Sequence, residues 1–283
     1  MGKIILPVVL IIALILPLSI LVAEAQSTGG LAWWESNYTN YRVASASTTT
    51  GGGDGAKLNN LYVYADSNYL YLAIDASNTA SWNVAYGFLL DVVPNSGYND
   101  TAISKDGVLD AWHRKIALNG SKYGADYEIY FWYDQNSGIT SADICTWKSS
   151  ATISSSSDVS AYWSYNDVTS QKGTLYDYTW SSSTGLQVLW VAIPWSTLNT
   201  QPPSSFYVLA VLAGGDCSGS VDSIPYDPTV TYSWSPSTTQ VYNTMYQYSA
   251  PTPVPIPEPL TATLLIAGVA TVSTFYTIRR KNH

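Results

Sequence analysis

The chain has 283 residues, of which only 11% are charged, and it carries a formal net charge of −8 with 12 Lys+Arg against 20 Asp+Glu. An acidic chain with few cations is a poor partner for nucleic acid, whose phosphates need basic side chains. With 23 Tyr and 11 Trp among abundant Ser, Thr, Asn and Gly, its surface must make contacts through hydroxyls, amides and aromatic faces rather than through charge.

Met1-Gly2-Lys3 is followed by an apolar run from Ile4 to Val22 and then by Ala23-Glu24-Ala25. One positive charge, an aliphatic stretch and small residues at an A-x-A site are the order of a secretory signal peptide, which predicts residues 1–25 to be removed after Ala25. An uncleaved N-terminal anchor is the competing reading. Residues 26–57 read as an irregular polar lead-in with one short strand, Gly51-Gly52-Gly53-Asp54-Gly55 forming a flexible turn.

Residues 58–250 carry the periodic signal. Leu61–Ala65 and Tyr69–Asp75 flank Asp66-Ser67-Asn68; Leu70, Leu72 and Ile74 share one face, and Tyr69, Tyr71 and Ala73 the other. A period of two across a short turn predicts a β-hairpin. Val84–Val93 and Asp126–Tyr133 are further strands, and Pro94-Asn95-Ser96-Gly97 ends the first of them. Leu186–Ile193 and Phe206–Ala213 are apolar on both faces, the signature of central strands covered from both sides. Pro194–Leu198 breaks the first of these, and the serine-rich stretch 149–157 reads as a loop. Many strands and no long amphipathic helix predict an all-β fold, an immunoglobulin-like β-sandwich, with one Tyr-rich face left wet.

Beyond it, proline at every second position from Pro251 to Pro259 predicts a stiff, extended spacer. Leu260–Ile278 is uncharged and, as a helix, just long enough to cross a hydrocarbon core; Arg279-Arg280-Lys281 opens a basic tail, 279–283, that stays on the cytoplasmic side. Pro257-Glu258-Pro259, an apolar span and a basic end together resemble the PEP-CTERM type of sorting signal. The resemblance covers the last 30 or so residues and implies processing by an exosortase-like membrane protease. A retained transmembrane helix stands beside it as the simpler reading. Either way the body is expected on the outer face of the cell membrane.

The order of motifs in the body carries a second resemblance. Leu61-Tyr62-Val63-Tyr64-Ala65, Tyr69-Leu70-Tyr71-Leu72-Ala73-Ile74, Gly87-Phe88-Leu89-Leu90-Asp91, Ala111-Trp112, Tyr127-Glu128-Ile129-Tyr130, Val191-Ala192-Ile193-Pro194-Trp195 and Val221–Asp227 follow one another. This series resembles the DOMON-like superfamily, in particular the family-9 carbohydrate-binding modules and the glucodextranase C-terminal-type domain. The resemblance implies an immunoglobulin-like sandwich, an extracellular place and often the binding of sugars. Such modules usually sit beside a catalytic domain, for which this chain leaves no room.

No G-x-S-x-G or H-E-x-x-H occurs, and the exported body holds one histidine, His113. With Met245 it is also the only candidate for axial haem ligation. No enzymatic activity is expected. Sugars are best met by exposed aromatic faces, which singles out Trp112, Trp132, Trp163 and Trp180 as a group, with core packing the alternative for each; Trp190 reads as core. Asp91, Asp100, Asp106 and Asp110 gather oxygen ligands of the kind that hold Ca²⁺, against the reading of a solvated acidic loop. Cys145 and Cys217 fall in the exported region, where a disulfide is permitted and, closing a long loop, would stabilise by roughly 4–5 kcal/mol; two free buried thiols are the alternative. Asn37, Asn99 and Asn119 open glycosylation sequons.

Two functions fit. One is a surface-held, non-catalytic protein that binds a polysaccharide or envelope glycan. The other is a structural subunit of an envelope layer or surface filament, for which low charge and Ser/Thr/Tyr richness serve equally well.

Overall fold

The computed structural model describes residues 30–47, 56–78, 83–94, 96–98, 110–112, 114–134, 136–148, 163–167, 172, 176–183, 186–215 and 218–250. The N-terminal apolar run, the proline spacer, Pro257-Glu258-Pro259, the 260–278 span and the basic tail lie outside the described residues. Among the described residues no helix is long and apolar enough to cross a membrane. The chain divides into two units, residues 1–249 and 250–283.

The first unit is a sandwich of two antiparallel sheets. Strands β1 (Arg42–Ser45), β2 (Ala56–Ala65) and β3 (Tyr69–Asn78) join β9 (Asp177–Ser183) and β10 (Leu186–Pro194) in sheet A, in the order β1-β2-β3-β10-β9. Sheet B contains β4 (Val84–Asp91), β6 (Tyr127–Asp134), β7 (Gly138–Trp147), β8 (Trp163–Asp167), β11 (Ser205–Ala213) and β12 (Ser220–Ile224), in the order β12-β11-β4-β6-β7-β8. β14 (Tyr246–Ser249) shares an edge of β11 with β12: β14 pairs with Ser205–Val208 and β12 with Ala210–Ala213. A short parallel pair, β5 (Ile116–Leu118) with β13 (Gln240–Tyr242), stands apart.

The β2–β3 hairpin forms where the alternation places it. Its turn is closed by Asp66, whose Oδ1 accepts the N–H groups of Asn68 at 2.7 Å and Tyr69 at 2.8 Å. A side-chain carboxylate doing the work of a turn carbonyl is the reason Asp favours such positions. Leu70, Leu72 and Ile74 face the inter-sheet core with Leu61 and Val63 of β2, Phe88 and Leu90 of β4, Ile129 and Phe131 of β6, and Val191 and Ile193 of β10. All eight residues of β4 are buried, as a central strand requires.

Both outer faces are covered as well. The expectation of a wet Tyr-rich face is corrected here. The lead-in carries helix α1 (Gly30–Asn37) and a 3₁₀ turn (Tyr38–Tyr41), and these lie on the outer side of sheet A. Trp34 is fully buried against Tyr62, Tyr71, Ala73 and Ala192, and its indole N–H donates to the Leu72 carbonyl at 2.9 Å. Trp33 lies within 5.4 Å, centroid to centroid, of Tyr64 and of Tyr71. The helix therefore offers aromatic area rather than an aliphatic stripe.

The outer side of sheet B is roofed by the segments around β5 and β13. Tyr98, Ala111, Ile116, Leu118, Tyr242 and Met245 pack over Leu89, Tyr130, Cys145, Leu209 and Val211. This roof positions the candidate site.

Candidate functional site

Alternation along β6 decides the chemistry beneath the roof. Tyr127, Ile129, Phe131 and Tyr133 turn into the inter-sheet core, so Glu128, Tyr130 and Trp132 present themselves on the opposite face. Next door on β4, Gly87 stands opposite Tyr130. A Cβ at Gly87 would lie 2.2 Å from Tyr130 Cε1 and 2.9 Å from Val211 Cγ2. The missing side chain is what allows the Tyr130 ring to lie down on the sheet.

The 110–114 segment closes over these groups. Asp110 Oδ1 accepts the N–H of Trp112 at 3.0 Å and of Arg114 at 2.5 Å, while its Oδ2 accepts the Tyr130 hydroxyl at 2.5 Å. Glu128 Oε2 accepts the Ala111 N–H at 2.8 Å. Arg114 Nε donates to the Gly214 carbonyl at 2.8 Å, and Nη1 lies 3.9 Å from Asp110 Oδ2. The guanidinium sits 4.9 Å from the Trp112 ring centroid and 4.6 Å from that of Tyr130, and the two rings are 5.4 Å apart. Cation–π attraction is strongest where, as here, the cation is stripped of water.

Asp110, Arg114, Glu128 and Tyr130 are all at or below 1% exposure. Burial, then the Asp110 charge, pushes the Glu128 carboxyl well above its ordinary range, against the opposing pull of the Ala111 N–H and Arg114. Burial also raises Asp110, although Arg114 and three hydrogen-bond donors work to lower it. Burial thus favours the protonated form of Glu128 beside the Asp110–Arg114 pair. Neither Arg114 Nη1 nor Glu128 Oε1 has a hydrogen-bond partner among the described residues.

Trp112 is half-buried, its ring backed by Arg114 and Tyr130. Trp132, also half-buried, follows Tyr130 on the same face of β6. Where β11 ends, Gly214 and Gly215 approach two indoles, Trp234 and Trp132. A Cβ at Gly214 would stand 3.1 Å from Trp234 Cε3, and one at Gly215 would stand 3.6 Å from Trp132 Cη2. Arg114 thus links the Gly214 carbonyl to the Trp112 ring, with Trp234 beside Gly214 and Trp132 beside Gly215. Both carboxylates are buried and directed at backbone amides and a phenol, so what faces outward is suited to contact rather than to proton transfer.

The four tryptophans singled out from sequence separate. Trp112 packs on Tyr130, and Trp132 follows Tyr130 on the same face of β6. Trp163 is fully buried, with Tyr98 at 5.6 Å and Trp147 at 5.4 Å; it packs and has no face to offer. Trp180 is 37% exposed on β9 of the other sheet, where it lies over Gly138, a residue with φ +78°. Asp91 and Asp110 serve different networks: Asp91 Oδ2 accepts the Gly124 N–H at 3.1 Å. Asp100 and Asp106 lie outside the described residues, and among the described residues no cluster of three or more His, Cys, Asp or Glu could hold a metal. Cys145 is buried on β7 with a free thiol; Cys217, with His113 and Asn99, lies outside the described residues. The amide nitrogen of Asn37 donates to the Trp33 carbonyl at 2.8 Å, and that of Asn119 to Asn243 Oδ1 at 2.5 Å.

Arg114, Glu128, Tyr130 and Trp234 are participants that the sequence reading passed over. One signal was available: a glutamate inside an otherwise aromatic strand, on the face opposite Tyr127, Ile129 and Phe131.

No family model matches the chain. No curated protein matches it. Solved structures similar to it include two carbohydrate-binding modules. One is a family-9 carbohydrate-binding module from Caldicellulosiruptor kristjanssonii in complex with glucose, 10% identical over 78% of this chain and 90% of that one, with a TM-score of 0.35. The other is a family-9 carbohydrate-binding module from the same organism in complex with cellotriose, 12% identical over 63% of this chain and 68% of that one, with a TM-score of 0.28.

Proposed function

We propose that this chain is a non-catalytic glycan-binding protein, carried at the outer face of a cell membrane, that takes a neutral polysaccharide on the Trp112 end of sheet B. The observation that carries this reading is the backing of Trp112. A half-buried indole braced by Arg114 at 4.9 Å and by Tyr130 at 5.4 Å is fixed before any ligand arrives. A rigid aromatic face loses little freedom on binding. The C–H face of a pyranose stacks on it without charge. Export through residues 1–25 and retention through 251–283 belong to the same reading and rest on the order of segments at the two ends of the chain.

The test uses the full-length chain in detergent or nanodiscs. Calorimetry with glucose, cellotriose and maltotriose should give weak, saturable heats. Raising salt from low to high should change them little, since no ion pair is screened. Trp112→Ala should weaken binding at least tenfold while the melting temperature moves by only a few degrees. No heat with any glycan, together with assembly of the purified chain into sheets or fibres, would replace this reading with that of an envelope subunit.

A further inference from the structure

The loop between β12 and β13 encloses a second feature. Thr229–Thr231, Ser233 and Ser235–Val241 line a cavity of about 380 Å³, within the size range of small-molecule sites. Its walls are held in place from outside. Ser233 N–H donates to the Ser220 carbonyl at 3.0 Å, and Lys115 Nζ donates to the Pro236 carbonyl at 3.0 Å. Gln240, buried, uses its whole amide for the same purpose. Nε2 donates to the Thr231 and Ser220 carbonyls at 2.8 and 2.9 Å, and Oε1 accepts from Ser220 N and Oγ at 2.6 and 2.9 Å. A loop tied at these points keeps its hollow open, so a ligand would find it preformed.

The lining is unlike the rest of the surface. Thr231, Ser235, Ser237, Thr238 and Thr239 contribute hydroxyls, Val230 and Val241 contribute apolar area, and no ionisable side chain lines the cavity. Thr229 differs, because its hydroxyl already donates to Asp227 Oδ1 at 2.6 Å. A hydroxyl both donates and accepts, which matches a ligand whose own groups do both. An ion entering here would lose water with no counter-charge to replace it.

We propose that this cavity is a second binding site, separate from the Trp112 face, for a neutral polyhydroxylated ligand of the size of a sugar residue. It does not depend on the Trp112 reading, because none of Trp112, Arg114, Tyr130 and Trp132 lines it.

The experiment uses the full-length chain in nanodiscs, titrated with glucose, mannose, galactose and N-acetylglucosamine, in the wild type, in Trp112→Ala, and in Trp112→Ala combined with Thr231→Val and Thr239→Val. Thr→Val keeps the shape and removes the hydroxyl. The Trp112→Ala chain should still bind at least one of the four sugars, with a millimolar Kd. The added pair of substitutions should weaken that residual binding at least tenfold, as should Ser237→Trp, which fills the mouth from an exposed position. The proposal falls if Trp112→Ala binds none of the four, or if its residual binding is indifferent both to the valine pair and to Ser237→Trp. Wild-type binding that is unmoved by Trp112→Ala but lost in the valine pair would instead overturn the Trp112 reading and leave this one standing.

Discussion

Gly87 shows how much of the site hangs on one missing side chain. A methyl there would meet Tyr130 at 2.2 Å, so Gly87→Ala must lift the ring that hydrogen-bonds Asp110 and backs Trp112. Overpacking of this kind costs about 1–3 kcal/mol, and glycan binding should fall with it; denaturant titration and calorimetry on the same variant check both. The charged pair makes a sharper contrast. Arg114→Met leaves Asp110 buried without its cation and should cost about 3–5 kcal/mol. Glu128→Gln should cost less, about 1 kcal/mol, because burial and the Asp110 charge favour the protonated carboxyl, whose shape an amide keeps. Equal losses in the two variants would show that Glu128 is ionised. Asp91 adds a pH signature. Burial, aided by the Asp126 charge and opposed by the Gly124 N–H, pushes its carboxyl up to about 6. The folded state therefore binds this proton more tightly than the unfolded chain does. The resulting stability, on the order of 2 kcal/mol, is fully present below about pH 4 and is lost as pH rises through about 6. The chain should melt higher at pH 5 than at pH 7.5, and Asp91→Asn should remove much of that difference.

At the scale of elements, the reach of sequence reasoning follows from what each strand buries. β3, β4, β6, β10 and β11 alternate cleanly or are apolar throughout, and all five were legible to within three residues at either end. β7, β9, β12 and β14 were not. Ser, Thr, Asp and Gln interrupt their apolar pattern, although β7, β9 and β12 each pair with the strand next to them in the chain and only β14 reaches a distant one. Helix α1 escaped because it packs two adjacent indoles, Trp34 buried and Trp33 half-buried, instead of an aliphatic face. The site was half legible. Trp112 stands out as an aromatic beside turn residues, but Glu128 reaches Ala111 only through β6 pairing, and Gly214 reaches Arg114 across a separation of 100 residues. The helix also carries a prediction. Trp34→Ala should cost about 3–5 kcal/mol, measured by denaturant unfolding, because it empties the space over Tyr62, Tyr71 and Ala192 and loses the bond to the Leu72 carbonyl.

In the whole molecule, each sheet has one face in the core and the other covered, sheet A by the lead-in and sheet B by the roof. A body sealed on both sides needs nothing beyond its last strand, so a chain ending after Ala250 should fold and remain soluble, as circular dichroism and gel filtration of the secreted product would show. Unfolding or aggregation of that product would tie the terminal segment to the core. The shared edge of β11 has a mechanical consequence. Only four residue pairs join β14 to it, Ser205 to Ser249 through Val208 to Tyr246. Force applied at the C-terminal end enters the body at Ser249 and falls next on Tyr248, whose ring lies 4.9 Å from that of Phe206 and whose hydroxyl accepts the Ala65 N–H at 3.2 Å across to the other sheet. Tension on a tethered copy would thus meet Tyr248, which holds β14 to both sheets, and β14 would peel while the Trp112 face, at the other end of β11, still held its shape.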